Sequence, residues 1–341
     1  MRYRDFDEDD VPIRPSRRGS RPRTKRRPAY EDAVGGMVTA IDRGRITVLL
    51  DDGGEKREVT AVKARTLGRK SLVVGDEVSV VGDISGRPDT LARIIRLAKR
   101  STALRRTADD DDPYERVIVA NADQLVIVTA LANPEPRQRM VDRCLVAAFD
   151  AGMDALLCLT KADLAPADEF VAPYEALNIP FVTTSLAADD TIAGISTVRE
   201  KLAGRISVLV GHSGVGKSTL VNALSSAAHR ETGSVNVTTG RGRHTSTSAV
   251  ALPLPDGDGW VIDTPGIRSF GLAHIDPDRI ISAFTDLAPG AQMCPRGCTH
   301  DADAPGCALD AWVDEGNAGD HGRQRLESLR RVLSSRSETE Y

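Results

Sequence analysis

The chain has 341 residues, of which 40% are hydrophobic and 28% charged, and its formal net charge is −4. The length exceeds one small domain and points to two or three, the composition is that of a globular protein, and the total charge implies no strong pull toward nucleic acid. No apolar run approaches the ~18 residues a membrane span needs and no apolar signal-peptide core opens the chain, so we expect a cytoplasmic protein with no membrane partner.

Residues 1–32 lack apolar periodicity, and 12–28 carry many Arg, Lys and Pro residues and no acid. They are predicted to be a disordered basic tail, either an arm for RNA phosphates or a solvated extension. Residues 33–100 read as all-β. The runs Gly35–Ile41, Arg45–Leu50, Val59–Val62, Glu77–Val81 and Asp89–Leu97 are β-prone, and Asp51-Asp52-Gly53-Gly54 marks a turn. Five short strands in this space suggest a small OB-type barrel. The segment contains no Phe, Trp or Tyr. Contact with RNA would therefore run through Arg43, Arg45, Lys63, Arg65, Arg69 and Lys70 on phosphates rather than base stacking. A solvated basic face is the other reading.

Residues 101–116 are predicted to be a polar linker. From 117 to 285 strands and helices alternate: strands at Gln124–Thr129, Ala155–Leu159, Phe181–Thr183 and Ile206–Val210, and helices at Arg137–Ala151, Glu169–Leu177 and Thr191–Leu202. That alternation predicts a doubly wound, mostly parallel sheet. Residues 286–341 begin rich in Cys, Pro, Gly and Asp, and about 310–335 are predicted as a helix with Leu326, Leu329 and Val332 on one face.

Gly211 to Ser218 fits G-x-x-x-x-G-K-S between an apolar strand and an amphipathic helix, the context a phosphate loop requires. The N–H groups of Gly211, His212, Ser213, Gly214, Val215, Gly216, Lys217, Ser218 and Thr219 converge on anionic oxygens at a helix N-terminus. Lys217 reaches the β- and γ-phosphates, and the Ser218 hydroxyl is a Mg²⁺ ligand. Asp263-Thr264-Pro265-Gly266 follows the strand at Trp260–Ile262. Its Asp263 would hold Mg²⁺, and the Gly266 N–H would sense the γ-phosphate.

Thr160-Lys161-Ala162-Asp163 ends a strand and is similar to the guanine reader N-K-x-D. The Asp163 carboxylate accepts from guanine N1–H and the N2 amine, whereas adenine sets an acceptor against it. The Lys161 stem lies along the base, Thr160 stands where Asn is usual, and a backbone N–H near Ser185 can meet O6. The reader precedes the phosphate loop, the reverse of the ordinary order, which implies a circularly permuted GTPase domain binding GTP and GDP. An ATPase is the rival that Thr160 leaves open.

Between the phosphate-loop helix and Asp263, residues 240–247 form a Gly- and Arg-rich switch. Thr247, with Thr245 as the alternative, would complete the Mg²⁺ shell. Ile267 cannot orient water, so His244 is the candidate substitute, with a solvent-facing His as the plain alternative. Finally, Cys294-x3-Cys298-x-His300-x6-Cys307 offers three thiolates and one imidazole, the donor set of one closed structural zinc site, against incidental thiols and a surface His. Cys144 and Cys158 fall in apolar patterns and are expected in the core.

Taken in this order, the barrel, the permuted GTPase motifs, Gly242-Arg243-His244-Thr245, Asp263-Thr264-Pro265-Gly266-Ile267-Arg268-Ser269-Phe270 and the cysteine module resemble the ribosome small-subunit-dependent GTPase A family over roughly residues 33–335. The resemblance implies a monomer that binds the small ribosomal subunit and its ribosomal RNA late in assembly. It implies GTP hydrolysis stimulated by the subunit and coupled to release, zinc on Cys294, Cys298, His300 and Cys307, and switch roles for His244 and Thr247. The rival function is a nucleotide-gated RNA-binding module whose hydrolysis is incidental.

Overall fold

The computed structural model describes residues 32–52, 54–68, 71–107, 115–175, 177–186, 191–225, 249–255, 259–264, 270 and 277–337. Strands Val34–Asp42 (β1), Arg45–Asp52 (β2), Glu55–Lys63 (β3), Glu77–Gly82 (β4) and Ala92–Leu97 (β5) follow one another in the first unit. Hydrogen bonding runs β1-β2-β3-β5-β4 and returns from β4 to β1, closing a barrel. Inward residues alternate as the pleat requires: Ile46, Val48 and Leu50 on β2, Val59 and Ala61 on β3, Val78 and Val80 on β4, Ala92 and Ile94 on β5. Arg43, Arg45, Lys63 and Arg65 are exposed, while Arg69 and Lys70 lie outside the described residues.

The stretch expected to be a linker carries strand Ala103–Thr107 (β6), which pairs antiparallel with Glu115–Ala120 (β7). The alternation of Leu104 with polar neighbours accounts for it, since Leu104 is buried. This hairpin also fastens the barrel to the rest of the chain. Ala120 N–H donates to Val74 O at 3.0 Å, and the Asn121 side-chain amide donates to Gly75 O at 2.8 Å. Gly75 sits at φ +89, and a Cβ there would lie 2.0 Å from Ala120 O, so only glycine lets the two backbones meet.

The second unit contains Gln124–Ala130 (β8), Asp154–Thr160 (β9), Phe181–Thr183 (β10), Ile206–Val210 (β13), Val250–Pro253 (β14) and Trp260–Asp263 (β15), ordered β10-β9-β8-β13-β15-β14. All pairs are parallel except β14 with β15. The sheet continues into the barrel where Ala40 of β1 pairs with Val250 of β14. Odd and even residues of β8 face opposite cores. Leu125 and Ile127 pack with helix Gln138–Ala151 (α1), and Val126 and Val128 pack with Ile195–Leu202 (α3) and Lys217–Ser225 (α4). Helix Asp168–Glu175 (α2) lies on the α1 side. Met140, Val141, Cys144, Leu145 and Ala148 of α1 are buried, and Gly152 ends it in the left-handed conformation.

Two expected helices are shorter than predicted. Ile192–Ala193 (β12) pairs with Ser185–Leu186 (β11), so α3 begins only at Ile195. The helix expected at 310–335 is Leu309–Asp314 (α7) followed by Gly322–Ser337 (α8), divided by Gly316 and Gly319 in the left-handed region. Pro277–Ser282 (α5) and Ala288–Ala291 (α6) precede them. The core does not divide at residue 286. Leu326, Leu329, Val332 and Leu333 of α8 share one cluster with Leu145 of α1 and with Leu157 and Ile262 of the parallel sheet. Among the described residues no helix is long and apolar enough to cross a membrane.

Candidate functional site

Strands β8, β9, β13 and β15 are parallel, so their carboxyl ends share one edge. The chain turns between β8 and β13, the topological switch point where such sheets bind ligands. Gly211 to Gly216 leave β13 there and enter α4 at Lys217. A Cβ on Gly211 would lie 2.5 Å from Val128 O, so the loop crosses the end of β8 at backbone contact. Gly214 and Gly216 have φ of +85 and +89, the conformations that turn N–H groups inward. Val215 is fully buried and anchors the loop, whereas Ser213, Gly214, Ser218 and Thr219 are exposed. His212 turns its Nδ1 toward Ser213 O at 2.9 Å.

Lys217 Nζ pairs with the Asp263 carboxylate at the end of β15. The two groups expected to meet phosphate and Mg²⁺ thus neutralise each other, with side chains 12% and 27% exposed. Next to them the Thr264 hydroxyl donates to Leu209 O at 2.7 Å and locks β15 to β13. Gly266, His244, Thr247 and the alternative Thr245 lie outside the described residues.

The candidate reader Thr160–Asp163 emerges from β9. Thr160 is buried, and its hydroxyl lies 2.6 Å from Val215 O and 3.3 Å from Thr129 O. Lys161 is left-handed at φ +58 and donates to Asn133 O. Thr184 brackets the turn, donating to Leu159 O at 2.8 Å and accepting from Ala162 N–H at 3.1 Å. That places Ser185 beside the reader and leaves Asp163 exposed.

Sequence reasoning missed a buried anchor at Phe270, beyond Asp263 along the chain. Phe270 is buried, and the Arg143 guanidinium of α1 holds its carbonyl from Nε at 2.9 Å and Nη2 at 2.6 Å. The adjacent Asp142 binds Arg331 of α8, Nε to Oδ2 at 3.1 Å, with the two side chains 2% and 32% exposed. One signal was available: two opposite charges interrupt the apolar face of α1.

Burial raises the Asp142 pKa, and Arg331 offsets part of that rise. A carboxyl raised on folding contributes stability below its unfolded value near 4 and loses it as pH climbs through the folded value. Arg331→Ala should therefore cost about 2 kcal/mol near neutrality, the low side for breaking a buried pair because Arg331 is partly exposed. The cost should shrink at pH 4.5. Thermal unfolding at the two pH values checks this, and an equal loss at both would refute it.

The four cysteine-cluster donors lie within 4.8 Å of one another. Cys294 Sγ is 4.0 Å from Cys307 Sγ, which is 3.9 Å from His300 Nδ1. Tetrahedral zinc with Zn–S of about 2.3 Å sets sulfurs about 3.8 Å apart, so the donor set fits such an ion. Ala308 N–H donates to Cys294 Sγ at 3.2 Å, and burial raises the Cys294 thiol to about 11. Burial lowers the His300 pKa, favouring the neutral imidazole that can ligate. His300 is left-handed at φ +61, and Arg330, itself paired with Asp310, donates to its carbonyl at 3.1 Å. Cys144 and Cys158 are buried core residues, and burial raises the Cys158 thiol to about 12.

A family model described as RsgA GTPase matches residues 97–273. The small ribosomal subunit biogenesis GTPase RsgA of Ectopseudomonas mendocina is 40% identical over 278 residues, covering 80% of this chain and 77% of that protein. The protein of the same name from Chlorobaculum tepidum is 35% identical over 318 residues, covering 90% and 100%. The crystal structure of YjeQ from Thermotoga maritima aligns with TM-score 0.62 at 25% identity, covering 90% of this chain and 100% of that one. YloQ, a circularly permuted GTPase, aligns with TM-score 0.62 at 21% identity over 92% and 100%, a likeness of fold.

Proposed function

This chain belongs to the RsgA GTPase family, and from that premise we propose that it hydrolyses GTP to GDP and phosphate in the biogenesis of the small ribosomal subunit, with turnover stimulated by the subunit and coupled to release. The observation that carries the reading is convergence. Asp163, the phosphate loop and Asp263 come from three separate stretches of chain yet meet at one carboxyl edge of the sheet.

In this reading the N–H groups from Gly211 to Thr219 cradle the phosphates and Lys217 leaves Asp263 to bind them. Asp163 selects guanine, with the Lys161 stem against the base and a backbone N–H at Ser185 on O6. The Ser218 hydroxyl and Asp263 carboxylate are hard oxygen donors at that same end. They would hold Mg²⁺, which neutralises charge developing on the phosphates. Thr247 completes that ligand set, Gly266 N–H senses the terminal phosphate, and His244 orients the attacking water. Cys294, Cys298, His300 and Cys307 hold one structural zinc, and the exposed basic residues of the barrel engage ribosomal RNA.

The test is GTP turnover titrated with purified small subunits. The rate should rise at least about tenfold, equivalent to roughly 1.4 kcal/mol off the barrier. A flat titration sinks the proposal and favours an RNA-binding module whose hydrolysis is incidental.

A further inference from the structure

The residue that opens the guanine reader faces the phosphate loop. Thr160 is buried at the end of β9, two strands from β13, and the loop reaches it by crossing β8. Its hydroxyl oxygen lies 2.6 Å from Val215 O and 3.3 Å from Thr129 O. Carbonyls only accept, so the hydroxyl must donate, and it has one proton. Both its hydroxyl and its methyl lie 3.7 Å from where a Gly216 Cβ would stand, so the Val215–Gly216 turn rests on this side chain. Lys161 is committed in a similar way. Its ammonium holds Asn133 O, and the neighbouring Pro134 Cδ lies 3.6 Å from the Cβ position of Gly214.

Guanine offers a purine acceptor at N7, which only a donor can read. An asparagine amide at position 160 has two N–H bonds to share, whereas threonine has its single O–H directed away to a backbone carbonyl. From this we infer that Thr160 is a positioning residue for the phosphate loop and leaves guanine N7 unread; adenine carries the same N7 acceptor, so base selection falls on the Asp163 edge in either case.

The inference rests on residues 160–163 being the base site, and its consequences separate base from phosphate. Loss of the Thr160 hydroxyl shifts the loop that every nucleotide uses. It should weaken GDP and inosine diphosphate, which lacks the N2 amine, by one common factor. Loss of Asp163 should weaken guanine nucleotides selectively. Removing N7 from the ligand should cost nothing.

The experiment is displacement of a fluorescent guanine nucleotide from the full chain and its variants. For the unaltered protein, 7-deaza-GTP should bind within about twofold of GTP, and a loss of tenfold or more would overturn the unread N7. Thr160→Val should weaken GDP and inosine diphosphate equally, by about tenfold, with Thr160→Ser restoring both. Undiminished binding by Thr160→Val, or a changed ratio between the two ligands, would overturn the positioning role. A melting curve shows that the valine variant is folded, and the serine variant retains the hydroxyl if it is not. Asp163→Asn is the control for the site itself. Retained guanine preference there would reject the base-site reading and with it the N7 claim, while the threonine arm would still decide the loop.

Discussion

Lys217→Ala weakens GTP and GDP by on the order of a hundredfold or more, corresponding to about 3 kcal/mol for removing a charge-assisted contact to phosphate from a partly enclosed site. Two effects oppose each other. The variant loses the ammonium that meets the phosphates, but it also loses the Lys217–Asp263 pair that must part before nucleotide is bound. The first dominates because alanine also leaves Asp263 with no cation beside the incoming phosphates. Asp263→Asn then serves as the informative second variant. It frees Lys217 from its internal partner, so Mg²⁺-free GDP should bind at least as well as to the unaltered chain. Fluorescent-nucleotide titration with and without Mg²⁺ checks both, and unaltered affinity in the Lys217 variant would remove this loop from the nucleotide site.

Removing the metal proposed for the Cys294, Cys298, His300 and Cys307 cluster is the other change with a large expected effect, and the structure sets what it should look like. In the sequence, the Cys-rich stretch from residue 286 and the helix after it read as a unit distinct from residues 117–285. Instead, α8 contributes Leu326, Leu329, Val332 and Leu333 to the core of the GTPase sheet, and Arg330 ties it to the His300 loop. A metal present at a thousandfold over its dissociation constant stabilises the folded chain by about 4 kcal/mol. Cys298→Ser or chelation should thus lower the unfolding temperature of the whole second unit by roughly 10 °C, given the shift of about 2–4 °C per kcal/mol expected at this size. Metal content should fall from one to zero, and cleavage after residue 286 should appear. Calorimetry showing an unchanged nucleotide-protected transition would mean that the two parts are independent after all.

The local chemistry was legible because phosphate and base recognition require particular residues on contiguous chain. The candidate motifs at Gly211–Ser218, Thr160–Asp163 and Asp263–Gly266 and the Cys294, Cys298, His300 and Cys307 cluster each stand out by spacing, and alternation at Ile46, Val48 and Leu50 shows a barrel strand. The missed features join distant residues. Arg143 meets Phe270 across 127 positions, Asp142 meets Arg331 across 189, and Thr160 meets Val215 across 55. No period of 2 or 3.6 encodes such pairs, and a charged residue within an apolar stripe does not name its partner. The stretch 101–116 failed as a linker for a related reason: its strand is short and polar, and it exists because β7 pairs with it.

By itself, then, the sequence determined the motifs proposed for nucleotide binding, their permuted order and a four-residue set able to hold a metal, since each depends on side chains close together along the chain. Only the tertiary structure decided how those parts are joined. It spent the Thr160 proton on the phosphate loop, paired Lys217 with Asp263, and buried α8 against α1 so that the cysteine cluster and the GTPase share one core. The reason is that hydrogen-bond commitment and burial are properties of neighbours in space, and the fold alone chooses those neighbours.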